Sequence, residues 1–102
     1  MKIKEGVRIH GLKPEMNLGS QIVESIYLKH GKEPVITSGI EGSHSEYSDH
    51  YKGYALDFRT RYFTADQAQK VATDVSEALG DDFFVLLHKT HLHVSYRPRR
   101  LI

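Results

Sequence analysis

The chain has 102 residues, enough for one domain with a single hydrophobic core (residues 1–102) and too few for two. Its 14 lysines and arginines nearly balance 13 aspartates and glutamates, so charge gives no general reason to expect nucleic-acid binding. Cysteine is absent, which excludes disulfides and thiolate ligands and leaves nitrogen and oxygen to hold any metal.

The first half of the chain predicts two short strands around one helix. Residues 7–9 alternate apolar and polar side chains and predict a short strand. Apolar residues at helical spacing predict a helix over 17–30. The β-branched run at 34–39 predicts a strand that ends in a turn, and the polar, glycine-containing residues 40–53 predict an ordered loop.

The second half predicts a strand over 54–59, a helix over 64–79 and strands over 83–87 and 91–96. Thr64 and Gln67 have the spacing of a capping box at the start of the helix. This order of elements predicts an α+β fold in which a small antiparallel sheet packs against helices.

The strands place histidines and a carboxylate where side chains share a face. His91 and His93 are two residues apart in one predicted strand, so both project from the same side of it. Asp57 lies in another predicted strand, where burial is costly without a cation or hydrogen bonds, and His50 ends the preceding loop. Two imidazoles and a carboxylate suit a catalytic zinc site with a fourth position open to water. The alternative is that these are unrelated polar residues.

The pattern Ser48-x-His50-x-x-Gly53-x-Ala55-x-Asp57, followed by His91-Leu92-His93, resembles the signature of the zinc D-Ala-D-Ala metallopeptidases, which include phage endolysins. It is also similar to the hedgehog signalling domain, which has a related fold. The resemblance extends from about residue 36 to residue 96.

The resemblance implies a hedgehog/DD-peptidase-like fold and a zinc ion held by His50, Asp57 and His93. It implies that His91 lies over the metal as a catalytic residue and that Ser48 lines the substrate site. Glycine and alanine at positions 53 and 55 also allow a tight turn and leave space beside a metal.

The sequence departs from this family at the catalytic acid. Family enzymes usually carry a carboxylate near the last zinc ligand, but Thr90 precedes His93 by three residues, and no carboxylate lies between Asp82 and His93. Because a hydroxyl is a very weak base and an imidazole is well matched to neutral pH, either His88 or His91 transfers the proton, or activity is weak or absent. His88 also has a simpler interpretation as an exposed turn residue.

A second departure concerns substrate recognition. Many family members have an arginine shortly after a Ser-Gly turn, whereas Ser38-Gly39 is followed here by Ile40-Glu41. Arg59, on the same strand face as Asp57, is a candidate replacement that binds substrate, or else a partner of Asp57. The missing arginine favours an internal peptide bond over a C-terminal one.

These observations predict a zinc metallopeptidase that hydrolyses a bacterial peptidoglycan peptide, of D-Ala-D-Ala carboxypeptidase or L-Ala-D-Glu endopeptidase type. The alternatives are a non-catalytic zinc-binding module of the same fold, and a metal-free structural domain. No nucleic-acid or membrane partner is expected. The N-terminus lacks an apolar signal segment, which predicts cytoplasmic synthesis, with a phage-encoded protein reaching the cell wall by lysis or within a particle.

Overall fold

A computed structural model describes residues 1–41, 50 and 52–98 of the chain. These residues form two helices, α1 (Pro14–Lys29) and α2 (Ala65–Leu79). They also form five strands: β1 (Lys2–Ile3), β2 (Val35–Ser38), β3 (Ala55–Arg59), β4 (Phe83–Leu87) and β5 (His91–Tyr96). The predicted α+β class is confirmed.

The five strands form one mixed sheet in the order β1-β2-β3-β5-β4. All neighbouring pairs are antiparallel except β1 and β2, which are parallel. The predicted antiparallel sheet is thus present, with one parallel pair at its β1 edge. The predicted strand over 7–9 is wrong, because Val7 and Ile9 pack against the core from an irregular segment.

Helix α1 begins at Pro14 rather than at Asn17. Proline is tolerated in the first turn, where the backbone N–H groups have no partner within the helix, and it presets a helical φ. Helix α2 begins as predicted, with the Thr64 hydroxyl accepting a hydrogen bond from the Gln67 backbone N–H. The Gln67 side chain donates to the His30 carbonyl, so it links the end of α1 to the start of α2 instead of completing the capping box.

Both helices pack on the same face of the sheet. The core joins apolar side chains of β3 and β5 to those of the helices: Leu56, Phe58, Leu92 and Val94 with Met16, Val23, Tyr27, Val71 and Val75. The opposite face of β3, β4 and β5 carries Asp57, Arg59, Phe84, Leu86, His91 and His93. No helix covers it among the described residues, and we call it the open face.

Within the part of the chain that the structure describes, neither helix is long and apolar enough to cross a lipid bilayer.

Candidate metal centre

Two residues of the open face, Asp57 and His93, are direct partners in the pairing of β3 with β5. Directly opposed residues in an antiparallel pair have neighbouring side chains. Here the His93 Nδ1 lies 3.0 Å from the Asp57 Oδ1. The strand register therefore brings an imidazole and a carboxylate together although they are 36 residues apart in the chain.

His50 completes the group from outside the sheet. Its Nε2 lies 3.3 Å from the His93 Nδ1 and 3.3 Å from the Asp57 Oδ1. Its Nδ1 lies 2.9 Å from the Gly39 carbonyl oxygen, which can only accept a hydrogen bond. The Nδ1 therefore carries the proton in the neutral ring, and the Nε2 lone pair points toward Asp57 and His93.

The turn that positions the Gly39 carbonyl is held by the N-terminal segment. The Glu41 Oε1 accepts hydrogen bonds from the backbone N–H groups of Gly39 and Arg8, each at 2.9 Å, and the Ile40 N–H donates to the Arg8 carbonyl. A side chain on Gly39 would collide with the Arg8 carbonyl oxygen. Glycine at position 39 therefore allows residue 8 to approach the turn that orients His50.

Gly53 serves a similar close approach. It has a φ of +78°, and a Cβ there would lie 2.5 Å from the Gly11 carbonyl oxygen. The Gly53 carbonyl accepts a hydrogen bond from the Lys13 N–H. The expected tight turn is present, and the space that Gly53 leaves is filled by the segment before α1.

The three grouped side chains are largely withdrawn from water: His50 is 4% exposed and Asp57 is 8% exposed. Burial raises the pKa of Asp57, but the hydrogen bonds and the positive charge of the neighbouring histidines together outweigh this and hold the pKa far below its usual range. Burial lowers the pKa of His50, but the hydrogen bond and charge of Asp57, with smaller contributions from the Gly39 carbonyl and Glu41, raise it overall. Without a metal, the buried negative charge of Asp57 is therefore stabilised by the neighbouring histidines.

The donor atoms fit a divalent metal ion. Two imidazole nitrogens and one carboxylate oxygen lie 3.0 to 3.3 Å apart. In a tetrahedral zinc site with bonds of about 2.0–2.1 Å, neighbouring donors are about 3.3–3.4 Å apart. Two neutral imidazoles and a carboxylate are also donors that zinc accepts. Residues His50, Asp57 and His93 can therefore hold a metal ion in nearly their present positions.

His91 borders this group without belonging to it. Its Nε2 lies 3.8 Å from the Asp57 Oδ2, and its Nδ1 lies 3.3 Å from the Thr90 hydroxyl. Burial lowers the pKa of His91; Asp57 opposes this, and the neighbouring histidines reinforce it. Thr90, at the position where a carboxylate is expected, thus contacts the far nitrogen of His91.

His88 is exposed, and its ring stacks on His91 with centroids 4.6 Å apart and planes 26° apart. The structure therefore brings both histidines proposed for proton transfer to the same edge of the centre.

Arg59 faces the same side as Asp57 and is the direct partner of His91. The ion pairs of Asp57 within 4.0 Å among the described residues are with histidines, so Arg59 is not its partner. The predicted substrate residue Ser48 lies outside the described residues.

Comparison of the sequence with protein-family models and with curated proteins found no match, so the resemblance to zinc metallopeptidases stays a prediction.

Proposed function

We propose that the protein is a zinc-dependent peptidase that hydrolyses an amide bond in bacterial peptidoglycan peptides, of the D-Ala-D-Ala carboxypeptidase or L-Ala-D-Glu endopeptidase type. The observation that carries the proposal is the donor group of His50, Asp57 and His93 with a third imidazole, that of His91, at its edge. The cell-wall substrate rests on the sequence resemblance over residues 48–57 and 91–93.

In this proposal His50, Asp57 and His93 hold the zinc ion. A bound zinc ion supplies a Lewis acid and lowers the pKa of water. The hydrogen bond from His50 to Gly39 and the pairing of Asp57 with His93 keep the donors in place, so little reorganisation is needed. No described helix covers the open face, and in this proposal an extended peptide lies along it beside the centre.

His91 is the proposed proton acceptor. Its lowered pKa keeps the imidazole neutral near pH 7, with the Nε2 toward the centre and the Nδ1 beside the Thr90 hydroxyl. A neutral imidazole so placed takes a proton from the attacking water and returns it to the leaving amine. His88, stacked on the outer side of His91, is the second candidate for this transfer.

The second candidate function is a zinc-binding module without catalysis. It is favoured by the shortage of carboxylates at the centre. Among the described residues, Asp57 is the one carboxylate in the donor group. Glu41 lies close enough to influence His50, but its Oε1 accepts hydrogen bonds from the backbone N–H groups of Arg8 and Gly39. A module of this kind keeps the metal and lacks the base that family enzymes use.

The decisive experiment joins elemental analysis to digestion of purified peptidoglycan, with products identified by mass spectrometry. The proteins are the wild type, His93→Ala, His91→Gln and, as a control, His10→Ala, whose side chain is exposed. We expect zinc in all except His93→Ala, and peptide products from the wild type and the control.

His91→Gln should keep its zinc and lose about 10²–10⁴-fold in rate, because it removes only the proton acceptor. Zinc in the wild type with no product would contradict the peptidase and support the module. Wild-type protein without zinc would contradict both.

A further inference from the structure

A small cavity beside the candidate centre is lined mainly by cations. Its volume is about 120 Å³, and its walls are formed by Lys4, Thr37, Arg59, Arg61 and Thr90. Three positive side chains and two hydroxyl groups thus surround a space of about four water molecules. A space of this size holds a carboxylate group with some of its water.

The cations of this cavity have no anionic partner in the described part of the chain. No described carboxylate lies within 4.0 Å of Lys4, Arg59 or Arg61, whereas the N-terminal amine and four histidines each have at least one. Like charges placed together repel one another, and they concentrate a field that attracts anions. The three cations therefore make this cavity attractive to a negatively charged group.

Three links place the cavity against the metal centre. Arg59 is paired across the strands with His91. The Thr90 hydroxyl lies 3.3 Å from the His91 Nδ1. The Thr37 hydroxyl donates to the carbonyl oxygen of Asp57 at 3.4 Å. An anion bound by Arg59 and Thr90 would therefore lie next to His91, the proposed proton acceptor.

We propose that this cavity binds a carboxylate of the peptide ligand, with Arg59 and Arg61 as the main donors and Lys4 adding charge. Guanidinium groups match the planar carboxylate and form two parallel hydrogen bonds with it. The inference rests on the proposed function only in taking the ligand to be a peptide whose scissile bond lies at the centre. The segment after Ser38-Gly39 lacks an arginine that could bind a carboxylate. We assign that role instead to Arg59, at the end of β3, and to Arg61, just after it.

The test compares two ligands that differ only in this group: N-acetyl-D-alanyl-D-alanine and its C-terminal amide. Binding to the full chain is measured by two-dimensional NMR in the presence of a chelator, which prevents the carboxylate from binding zinc. We expect the acid to bind at least about tenfold more tightly than the amide and to shift the amide signals of Arg59, Arg61 and Thr90.

The variants are Arg59→Gln, Arg61→Gln and the double variant, and Lys70→Gln, at an exposed position of α2, is the control for the loss of one positive charge. Arg61 is exposed, so its removal should leave the fold intact, and the dispersion of the NMR spectrum checks this. The preference for the acid should be lost in the double variant and kept in the control. Equal binding of acid and amide, or a preference that survives the double substitution, would overturn the inference.

Hydrolysis is measured separately on the zinc-loaded protein. Acid-selective binding without hydrolysis would leave the cavity assignment standing while the peptidase fails. Hydrolysis of peptidoglycan together with equal binding of the two ligands would support the peptidase and contradict the cavity assignment.

Discussion

The face of the sheet against the helices and the open face are built from alternate residues of the same two strands, yet they have opposite chemistry. Leu56, Phe58 and Leu92 are fully buried among apolar side chains on one side. Asp57, His91 and His93 gather titratable groups on the other. Burial of apolar area stabilises the first face, whereas the second holds charge that is costly to bury. The comparison predicts that stability and metal binding can be changed independently.

The largest expected effect is on the helix-packed face. Leu92→Ala should lower the free energy of unfolding by about 2–5 kcal/mol, because it leaves a cavity in the core. Leu86→Ala, the same change at an exposed position of the open face, should cost less than about 1 kcal/mol. Urea denaturation of both zinc-free variants measures the difference. Equal losses would show that the two faces are not energetically distinct.

His93→Ala tests metal binding on the open face. In the wild type, zinc at 100 times its Kd should stabilise the fold by about 2.7 kcal/mol and raise the Tm by roughly 10–20 °C. In His93→Ala the shift should vanish, because one of the three donors is gone. Thermal unfolding with and without zinc measures it, and His10→Ala is the control. A full shift in His93→Ala would place the metal elsewhere.

Gly39→Ala probes the link between the N-terminal segment and the centre. The added Cβ collides with the Arg8 carbonyl and displaces the acceptor of the His50 hydrogen bond, so zinc affinity should fall about 10–100-fold. Gly6→Ala is the matched control: Gly6 has a φ of +88° but no atom within 4 Å of an added Cβ, so only backbone strain is expected there. Calorimetric zinc titration of both variants decides whether the turn matters to the centre.

The pH dependence of the zinc-free and zinc-loaded proteins should have opposite signs. The pKa of His50 is raised, so its stabilising contribution is complete below about pH 6.5 and is lost as pH rises through the folded-state value. Zinc requires unprotonated ligands, so its affinity should instead increase with pH. Denaturation of the zinc-free wild type and His50→Gln, with zinc titrations between about pH 6 and pH 8, measures both slopes. Zinc affinity that is independent of pH would exclude histidine ligands.

The smallest effect is expected at His88. If this exposed ring acts only by stacking on His91, His88→Gln should reduce the proposed activity by less than about tenfold and leave zinc binding unchanged. Steady-state kinetics on a peptidoglycan fragment measures it, with His91→Gln for comparison. A loss as large as that of His91→Gln would assign the proton transfer to His88.

The two faces also differ in how far the sequence predicts them. Local residue patterns predicted the bounds of β4 and β5, and alternation within β5 predicted the burial of Leu92 and the shared face of His91 and His93. The grouping of His50, Asp57 and His93 was predicted as well, and the structure confirms it.

The hydrogen bonds that hold His50 in position were not predicted, because they join segments that are distant in the sequence. Nothing local marks the Gly39 carbonyl as the partner of His50, or Glu41 as the acceptor for the Arg8 N–H 33 residues away. Residue alternation also gave the wrong prediction of a strand at residues 7–9, since any extended segment with one buried side can show alternation. The strand pairing that does occur near the N-terminus, at Lys2 and Ile3, is too short to leave a periodic signal.

The register between β3 and β5 has a consequence for folding. A slip of one residue would turn Leu92 and Val94 outward and His91 and His93 inward, and it would separate the Asp57 and His93 donors. A metal ion would therefore bind the correctly registered sheet and not its slipped competitors. In the proposed zinc protein, the metal stabilises only the native alignment of β3 with β5 during refolding, and the time at which zinc becomes bound reports when these two distant strands have aligned.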